Sequence, residues 1–174
     1  MNTLNELKNK SMKTLTPDTS RFLEYCNAST LSLSHRRGLV LHLLYALEVN
    51  EYDYSLADLI YYYNIDFGII IDSDDLIVPL VLDIVQNNSE LDLELKKYLE
   101  HWQLDRISIL VKLILRYGLF ELREKKSDSK LIIYEAVELA KGYAEEGSYR
   151  IVNGVLDAYS KSHKEQKDKI ELER

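Results

Sequence analysis

Two polar stretches of the chain carry side chains suited to binding phosphates or nucleotide bases. The first is Ser34-His35-Arg36-Arg37-Gly38, a basic group at the predicted start of a helix. Arginine presents a planar fork of donors that fits phosphates and base edges, and a helix N-terminus adds positive potential. The second is Tyr149-Arg150-Ile151-Val152-Asn153-Gly154. Its Gly costs a helix about 1 kcal/mol relative to Ala, which indicates either close helix packing or a polar contact.

Residues that would support enzyme chemistry or a metal centre are scattered. His35, His42, His101 and His163 lie far apart and lack zinc-ligand spacing. The six glycines do not cluster as a phosphate-binding loop requires. Cys26 is the one cysteine, so it cannot form an internal disulfide, and it lacks the local signature of a nucleophile. We therefore expect no enzyme activity, no cofactor and no metal site.

The charge of the 174-residue chain is −7, but it is unevenly distributed. Residues 1–37 hold six basic and three acidic residues, whereas residues 38–100 hold two lysines and 13 acidic residues. A polyanion would be repelled by the middle third, so a nucleic-acid contact is expected at the basic N-terminal end or on a local patch of the last third. No apolar run is long enough to span a bilayer, and the N-terminus is too polar for a secretory signal. A cytoplasmic protein is expected.

The elements that must position these residues are predicted to be helices. With two Pro and six Gly, the composition argues against a many-turned β architecture. Apolar residues at helical spacing predict about seven helices, among them one capped by Ser34 and a central apolar helix over Leu104–Arg123 that breaks near Ser108 or Gly118. The segment Phe67–Ile71 has the pattern of a strand but no clear partner, so an extended loop is expected. The predicted fold class is all-α.

Three regions follow from these patterns. Residues 1–33 are predicted to form a flexible basic arm, residues 34–163 a helical domain, and residues 164–174 a charged C-terminal tail. The bulk of the apolar periodicity lies in the middle region, which must therefore form the core.

Four short sequence blocks also follow one another in the order in which similar motifs occur in a known protein family. They are Arg36–Tyr45, Trp102–Leu122, Ile133–Lys141 and Arg150–Asp157. The most specific is the last, Arg-Ile-Val-Asn-Gly-Val-Leu-Asp, and Ile133–Lys141 reads Ile-Tyr-Glu-Ala-Val-Glu-Leu-Ala-Lys. Together the blocks resemble the NusB family of bacterial transcription antitermination proteins, whose motifs include Lys-Phe-Val-Asn-Gly-Val-Leu-Asp and Ile-Asn-Glu-Ala-Val-Glu-Leu-Ala-Lys. The resemblance implies two small helical bundles and a non-enzymatic role.

The same resemblance implies partners and site residues. Family members bind boxA-type single-stranded leader RNA together with a small-subunit ribosomal protein that doubles as a Nus factor, and they help RNA polymerase read through terminators, notably in ribosomal RNA operons. Carried over by position, the RNA-binding residues are His35, Arg36, Arg37, Tyr149, Arg150 and Asn153. The residues facing the ribosomal partner are Asp105, Arg106 and Lys112.

Departures from the family pattern keep a second hypothesis open. The arginine-rich opening thins to His35-Arg36-Arg37, Ile151 replaces a phenylalanine, and Val111 stands where an acidic residue is common. The alternative is a NusB-fold protein-interaction module that has lost specific RNA binding. NusB-like domains also precede RNA methyltransferase domains, but no cofactor-binding domain is expected after Arg174. A homodimer is compatible with the sequence.

Overall fold

The computed structural model describes residues 26–72, 75–99, 102–125 and 127–172, and most of this backbone is helical. The seven α-helices in these ranges are α1 (Leu33–Val49), α2 (Leu56–Asp66), α3 (Ile77–Gln86), α4 (Asn88–Lys96), α5 (Ile109–Glu124), α6 (Ser129–Tyr143) and α7 (Tyr149–Leu172). Short 3-10 turns cover Ala28–Thr30 and Leu104–Arg106, and two-residue strands cover Cys26–Asn27 (β1) and Ile69–Ile70 (β2). The all-α prediction and the helix number are confirmed.

The helix that carries the basic group begins two residues earlier than predicted. Ser32, not Ser34, is the residue that caps α1, because its Oγ accepts a hydrogen bond from the His35 backbone N–H at 3.3 Å. Ser34 lies inside the first turn, and its Oγ donates to Glu135 Oε2 on α6 at 2.8 Å. The prediction of a Ser34 cap was wrong, and Ser34 instead ties α1 to α6.

The apolar segment around Ile69 does have a strand partner. β1 and β2 pair in parallel, with Cys26 opposite Ile69, and the Cys26 N–H donates to the Gly68 carbonyl at 2.9 Å. The prediction of an unpaired loop was therefore wrong. A partner only two residues long is too short to produce an alternating pattern in the sequence, so periodicity could not reveal it.

Helix α5 lies at the centre of the molecule and joins two groups of helices. On one side α1 packs against α2, α3 and α5, and on the other α5, α6 and α7 pack against one another, with α4 also on α5. The fully buried side chains of α5 include Leu113, Ile114, Leu115 and Leu119. These two groups correspond to the two predicted bundles, and their apolar side chains meet in one core.

Close helix packing occurs at Gly118 rather than at Gly154. A Cβ added to Gly118 would lie 2.7 Å from Leu156 Cδ1, so the missing side chain lets α5 approach α7. At Gly154 an added Cβ would meet nothing within 4 Å. The prediction that Gly154 allows close helix packing is therefore wrong. The glycine that allows two helices to approach is Gly118 of the central helix α5.

The predicted outer regions are only partly described. Residues 1–25 of the predicted arm lie outside the described part of the chain, whereas residues 26–32 form β1, the first 3-10 turn and the cap of α1. At the other end, α7 continues to Leu172 and so takes in most of the predicted tail. The region boundaries at residues 33 and 163 stay predictions.

Candidate nucleic-acid interface

Arg37, in the first turns of α1, is buried in an ion pair that joins α1 to α5. Its Nε and Nη2 donate to the two carboxylate oxygens of Glu121 at 3.1 and 2.9 Å, and Nη1 lies 3.9 Å from Glu135. Burial works to lower the pKa of Arg37, but the bonds and charge of Glu121 outweigh it and raise that pKa above its usual value. Only 7% of the residue is exposed, so the Arg37 guanidinium stabilises the fold through its bonds to Glu121.

Arg36 forms an ion pair with Asp75 and is still partly exposed to solvent. Its Nη2 lies 2.7 Å from Asp75 Oδ1, and the Asp75 carboxylate is 3% exposed whereas the Arg36 side chain is 22% exposed. Asp75 also accepts the backbone N–H of Ile77 at 2.9 Å, which places this carboxylate at the start of α3. Part of the Arg36 guanidinium therefore remains accessible to a ligand, next to a charge that already balances it.

His35 is the most accessible member of the basic group. The residue is exposed, and its Nδ1 lies 2.8 Å from Ser32 Oγ, the group that caps α1. This contact fixes the ring at the helix N-terminus, where the helix dipole favours an anion. The three predicted residues thus comprise one exposed side chain, His35, one partly exposed side chain, Arg36, and one buried side chain, Arg37.

The second predicted group occupies the first turns of α7 and presents its polar atoms to solvent. Arg150 is exposed and donates from Nε to the Tyr149 hydroxyl at 3.3 Å, while Asn153, one turn later, is also exposed. The Tyr149 ring has two cations 5.7 Å from its centroid, the Arg150 guanidinium and the Lys141 ammonium. Tyr149 therefore organises a small basic surface at the α6–α7 junction.

The end of α6 lies between the two groups. Tyr143 packs edge-on against His42 of α1 at 5.1 Å between ring centroids, and a Cβ added to Gly38 would lie 3.1 Å from its hydroxyl oxygen. Lys141, two residues earlier, is the cation beside Tyr149. The glycine that follows the arginines thus allows α1 to approach the helix that leads to the second group.

Arg150 also lines a neighbouring cavity of about 320 Å³. The exposed indole of Trp102 and the side chain of Lys97 contribute to its wall, together with Gly154. An aromatic surface beside cations is suited to stacking a nucleotide base. Sequence reasoning did not assign Trp102 to a site, although it is the single tryptophan of the chain and lies in one of the resembling blocks.

Among the residues predicted to face a protein partner, Lys112 has a structural contact. Its Nζ lies 2.7 Å from Glu48 Oε1, and Glu48 also pairs with Arg116, which donates to both oxygens of Asp92 at 2.6 and 2.7 Å. This network ties α1, α4 and α5 together. The bonds from Lys112 and Tyr52 and the charge of Arg116 outweigh burial and lower the pKa of Glu48 to about 2.

The other two residues of that set lie in the 3-10 turn Leu104–Arg106. Arg106 is exposed at the end of the turn. The backbone of Asp105 belongs to the same turn, and its side chain lies outside the described part of the structure. The structure thus places Arg106 on an accessible surface and gives Lys112 a role inside the helix network.

Neither metal chemistry nor a membrane span is indicated by the described residues. Within these ranges, no group of three or more His, Cys, Asp or Glu side chains is arranged to hold a metal ion. No helix in the described part of the chain is long and apolar enough to cross a membrane.

Comparisons with known proteins identify close relatives. The sequence model of the NusB family matches residues 34–161. A transcription antitermination protein NusB from Leptospira biflexa is 37% identical over 133 residues, which are 75% of this chain and 94% of the relative. A NusB from Helicobacter hepaticus is 38% identical over 94 residues, which are 53% of this chain and 60% of that protein. The chain therefore spans about three fifths of some of its curated relatives and nearly all of others.

Two solved structures share the fold. The T. maritima NusB crystal structure superposes with a TM-score of 0.64 at 30% identity and covers 75% of this chain and 92% of its own. A second, named "Crystal Structure of a Plectonemic RNA Supercoil", also has a TM-score of 0.64, at 27% identity, and covers 75% of this chain and 94% of its own.

Proposed function

The chain belongs to the NusB family, and from this membership we propose that it is an RNA-binding transcription antitermination factor. Its ligand is boxA-type single-stranded leader RNA, bound together with a small-subunit ribosomal protein, and its target is the elongating RNA polymerase, notably on ribosomal RNA operons. The observation that carries the proposal is the family match over residues 34–161, which contains every predicted RNA-binding residue. A structural neighbour named for an RNA supports the class of ligand.

We assign direct RNA contacts to the accessible members of the two polar groups. Arg150 and the exposed part of Arg36 would neutralise phosphates, while His35 and Asn153 would offer polar contacts to bases or sugars. Tyr149 offers an aromatic surface beside Arg150. Arg37 supports RNA binding indirectly, because its ion pair with Glu121 holds the first turns of α1 in place.

The partner surface is proposed to include Arg106 and the side of α5 that carries Lys112, with Asp105 in the same turn. The acidic middle third of the chain would attract a basic ribosomal protein. RNA alone should then bind modestly, and its affinity should rise when the partner is present.

The test is a fluorescence anisotropy titration of a labelled boxA-like RNA and a scrambled RNA, with and without the ribosomal protein. We expect sequence-selective binding that the partner strengthens. Replacing Arg150 with Ala should weaken binding and reduce the slope of log K against log salt by about 0.7, the value for one phosphate contact with a single strand. Lys161→Ala is the matched control, because Lys161 is an exposed lysine of α7 that already pairs with Asp157.

The second candidate function is a protein-interaction module without specific RNA binding. It is favoured by the carboxylates that already neutralise Arg36 and Arg37. In the same titration it predicts equal, weak affinity for both RNAs, while the chain and the ribosomal protein still elute together in size-exclusion chromatography without RNA. That result would overturn the RNA assignment and leave the family fold in place.

A further inference from the structure

A groove of about 820 Å³ lies between α1, α2 and α6. Its wall is rich in aromatic side chains, namely His42, Tyr45, Tyr63, Phe67, Tyr134 and Tyr143. Several of these rings are well exposed, with 64% of Phe67 and 58% of Tyr134 accessible. Exposed rings around one concave surface are typical of a site that an apolar segment covers.

The charged side chains that line the groove indicate which kind of segment could bind there. Among the described residues that line it are Glu135 and Glu138 but no lysine or arginine. Each glutamate already accepts one bond, Glu135 from the Ser34 hydroxyl and Glu138 from Lys141. Both carboxylates are partly balanced, Glu138 by Lys141 and Glu135 by Arg37 at 3.9 Å. The described lining residues therefore offer a nucleic-acid backbone no unpaired lysine or arginine, whereas a segment that combines apolar and basic side chains matches the aromatic wall and can approach the two carboxylates.

The chain itself approaches the groove at its N-terminal side. β1 lies beside β2, and Ile69 of β2 lines the groove. Cys26 is opposite Ile69, and its N–H donates to the Gly68 carbonyl, so the described chain begins beside the strand that lines the groove. Residues 1–25, outside the described part of the chain, are therefore attached at the edge of the groove.

We propose that residues 1–25 dock into this groove and cover its aromatic wall. Phe22, Leu23 and Tyr25 would fill the end next to Phe67, and the basic residues further along, Lys8, Lys10 and Lys13, would lie near the two glutamates. Twenty-five residues can span up to about 80 Å when extended, so length does not limit the path. His35 also lines the groove, so the docked segment covers one proposed RNA-contacting side chain.

The single cysteine makes the proposal testable by paramagnetic relaxation, independently of any RNA. Cys26 is replaced by Ser, Thr14 by Cys, and a nitroxide is attached to the new thiol of the full chain. We expect strong loss of amide signal at Tyr134, Glu138 and Tyr143, and none at Trp102 or Lys125, which line other cavities. An undocked tether of 12 residues would reach about 20 Å on average and would affect all surfaces near Cys26 alike.

The matched control is the same labelled chain with Phe22→Ser and Leu23→Ser. These two changes should restore the groove signals while the rest of the amide spectrum, which reports the folded core, stays unchanged. Groove signals that remain weak in this variant would overturn the proposal, as would signal loss spread evenly over the surface. Signal loss in unlabelled ¹⁵N protein mixed with nitroxide-labelled ¹⁴N protein would identify a second copy as the occupant and would overturn it as well.

Discussion

Replacing Arg37 with methionine separates a structural role of this side chain from direct contact with RNA. Methionine keeps much of the length and loses the charge. Two charge-assisted hydrogen bonds to Glu121 disappear, each of which contributes about 1.5–3 kcal/mol. Breaking a buried ion pair costs about 3–5 kcal/mol. The Glu121 side chain is 21% exposed, so its carboxylate can be hydrated once Arg37 is lost, and we expect the lower value, about 3 kcal/mol.

Urea unfolding followed by circular dichroism measures this loss. With a denaturant slope of about 2 kcal/mol per molar, the midpoint should fall by about 1.5 M. The double variant Arg37→Met, Glu121→Leu should recover part of the loss, because no unpaired carboxylate remains. Arg150→Ala is the surface control and should stay within about 0.5 kcal/mol of the parent. An unchanged midpoint for Arg37→Met together with weaker RNA binding would refute the reasoning and return Arg37 to the phosphate-binding set.

Four further substitutions test the helix packing, a helix cap and the charge network. Gly118→Ala should destabilise the protein by about 1–2 kcal/mol in urea unfolding, since its Cβ meets Leu156 in the core, whereas Gly154→Ala should stabilise it by up to about 1 kcal/mol through helix propensity; the opposite order would contradict the packing. Ser55→Ala should lower the unfolding free energy by about 1 kcal/mol by removing the capping box of α2, and an unchanged value would show that the cap contributes nothing. Because the pKa of Glu48 is lowered from 4.5 to about 2 in the fold, its stabilisation is complete above pH 4.5 and is lost as the pH falls toward 2. Stability measured across that range should therefore depend less on pH in Glu48→Gln, and equal slopes would argue against the network.

The apolar patterns of the sequence were sufficient to predict the central helix. Its apolar residues recur at helical spacing, and the structure places α5 at Ile109–Glu124, which begins after a break at Ser108 and ends one residue beyond the predicted Leu104–Arg123. The same patterns underlie the all-α fold and the number of helices. A helix that buries most of its surface produces this signal strongly, because nearly every turn must present apolar side chains.

The electrostatic partners of the arginines could not be predicted in the same way. Arg37 meets Glu121 across 84 residues, and Arg36 meets Asp75 across 39. Such pairs depend on how whole helices are placed, and no local spacing records them. A basic group at a helix start therefore indicated binding, while the structure shows that much of its charge is used inside the fold. The pairing of the two-residue strands could not be predicted for a related reason, since β1 and β2 are far apart in the sequence and are brought together only in the folded chain.

The salt dependence of RNA binding now connects the proposed site with residues 1–25. If Arg150 and Arg36 provide the phosphate contacts, two contacts with a single strand predict a slope of log K against log salt near −1.4. Lys8, Lys10 and Lys13 add nothing to this slope while they remain near Glu135 and Glu138. A slope steeper than about −3 would require more cations on the RNA. Its return to about −1.4 when these three lysines are replaced by glutamine would show that they contact phosphates in the complex and therefore do not lie beside the two glutamates while RNA is bound. A steep slope that survives this replacement would instead place further phosphate contacts in the helical domain.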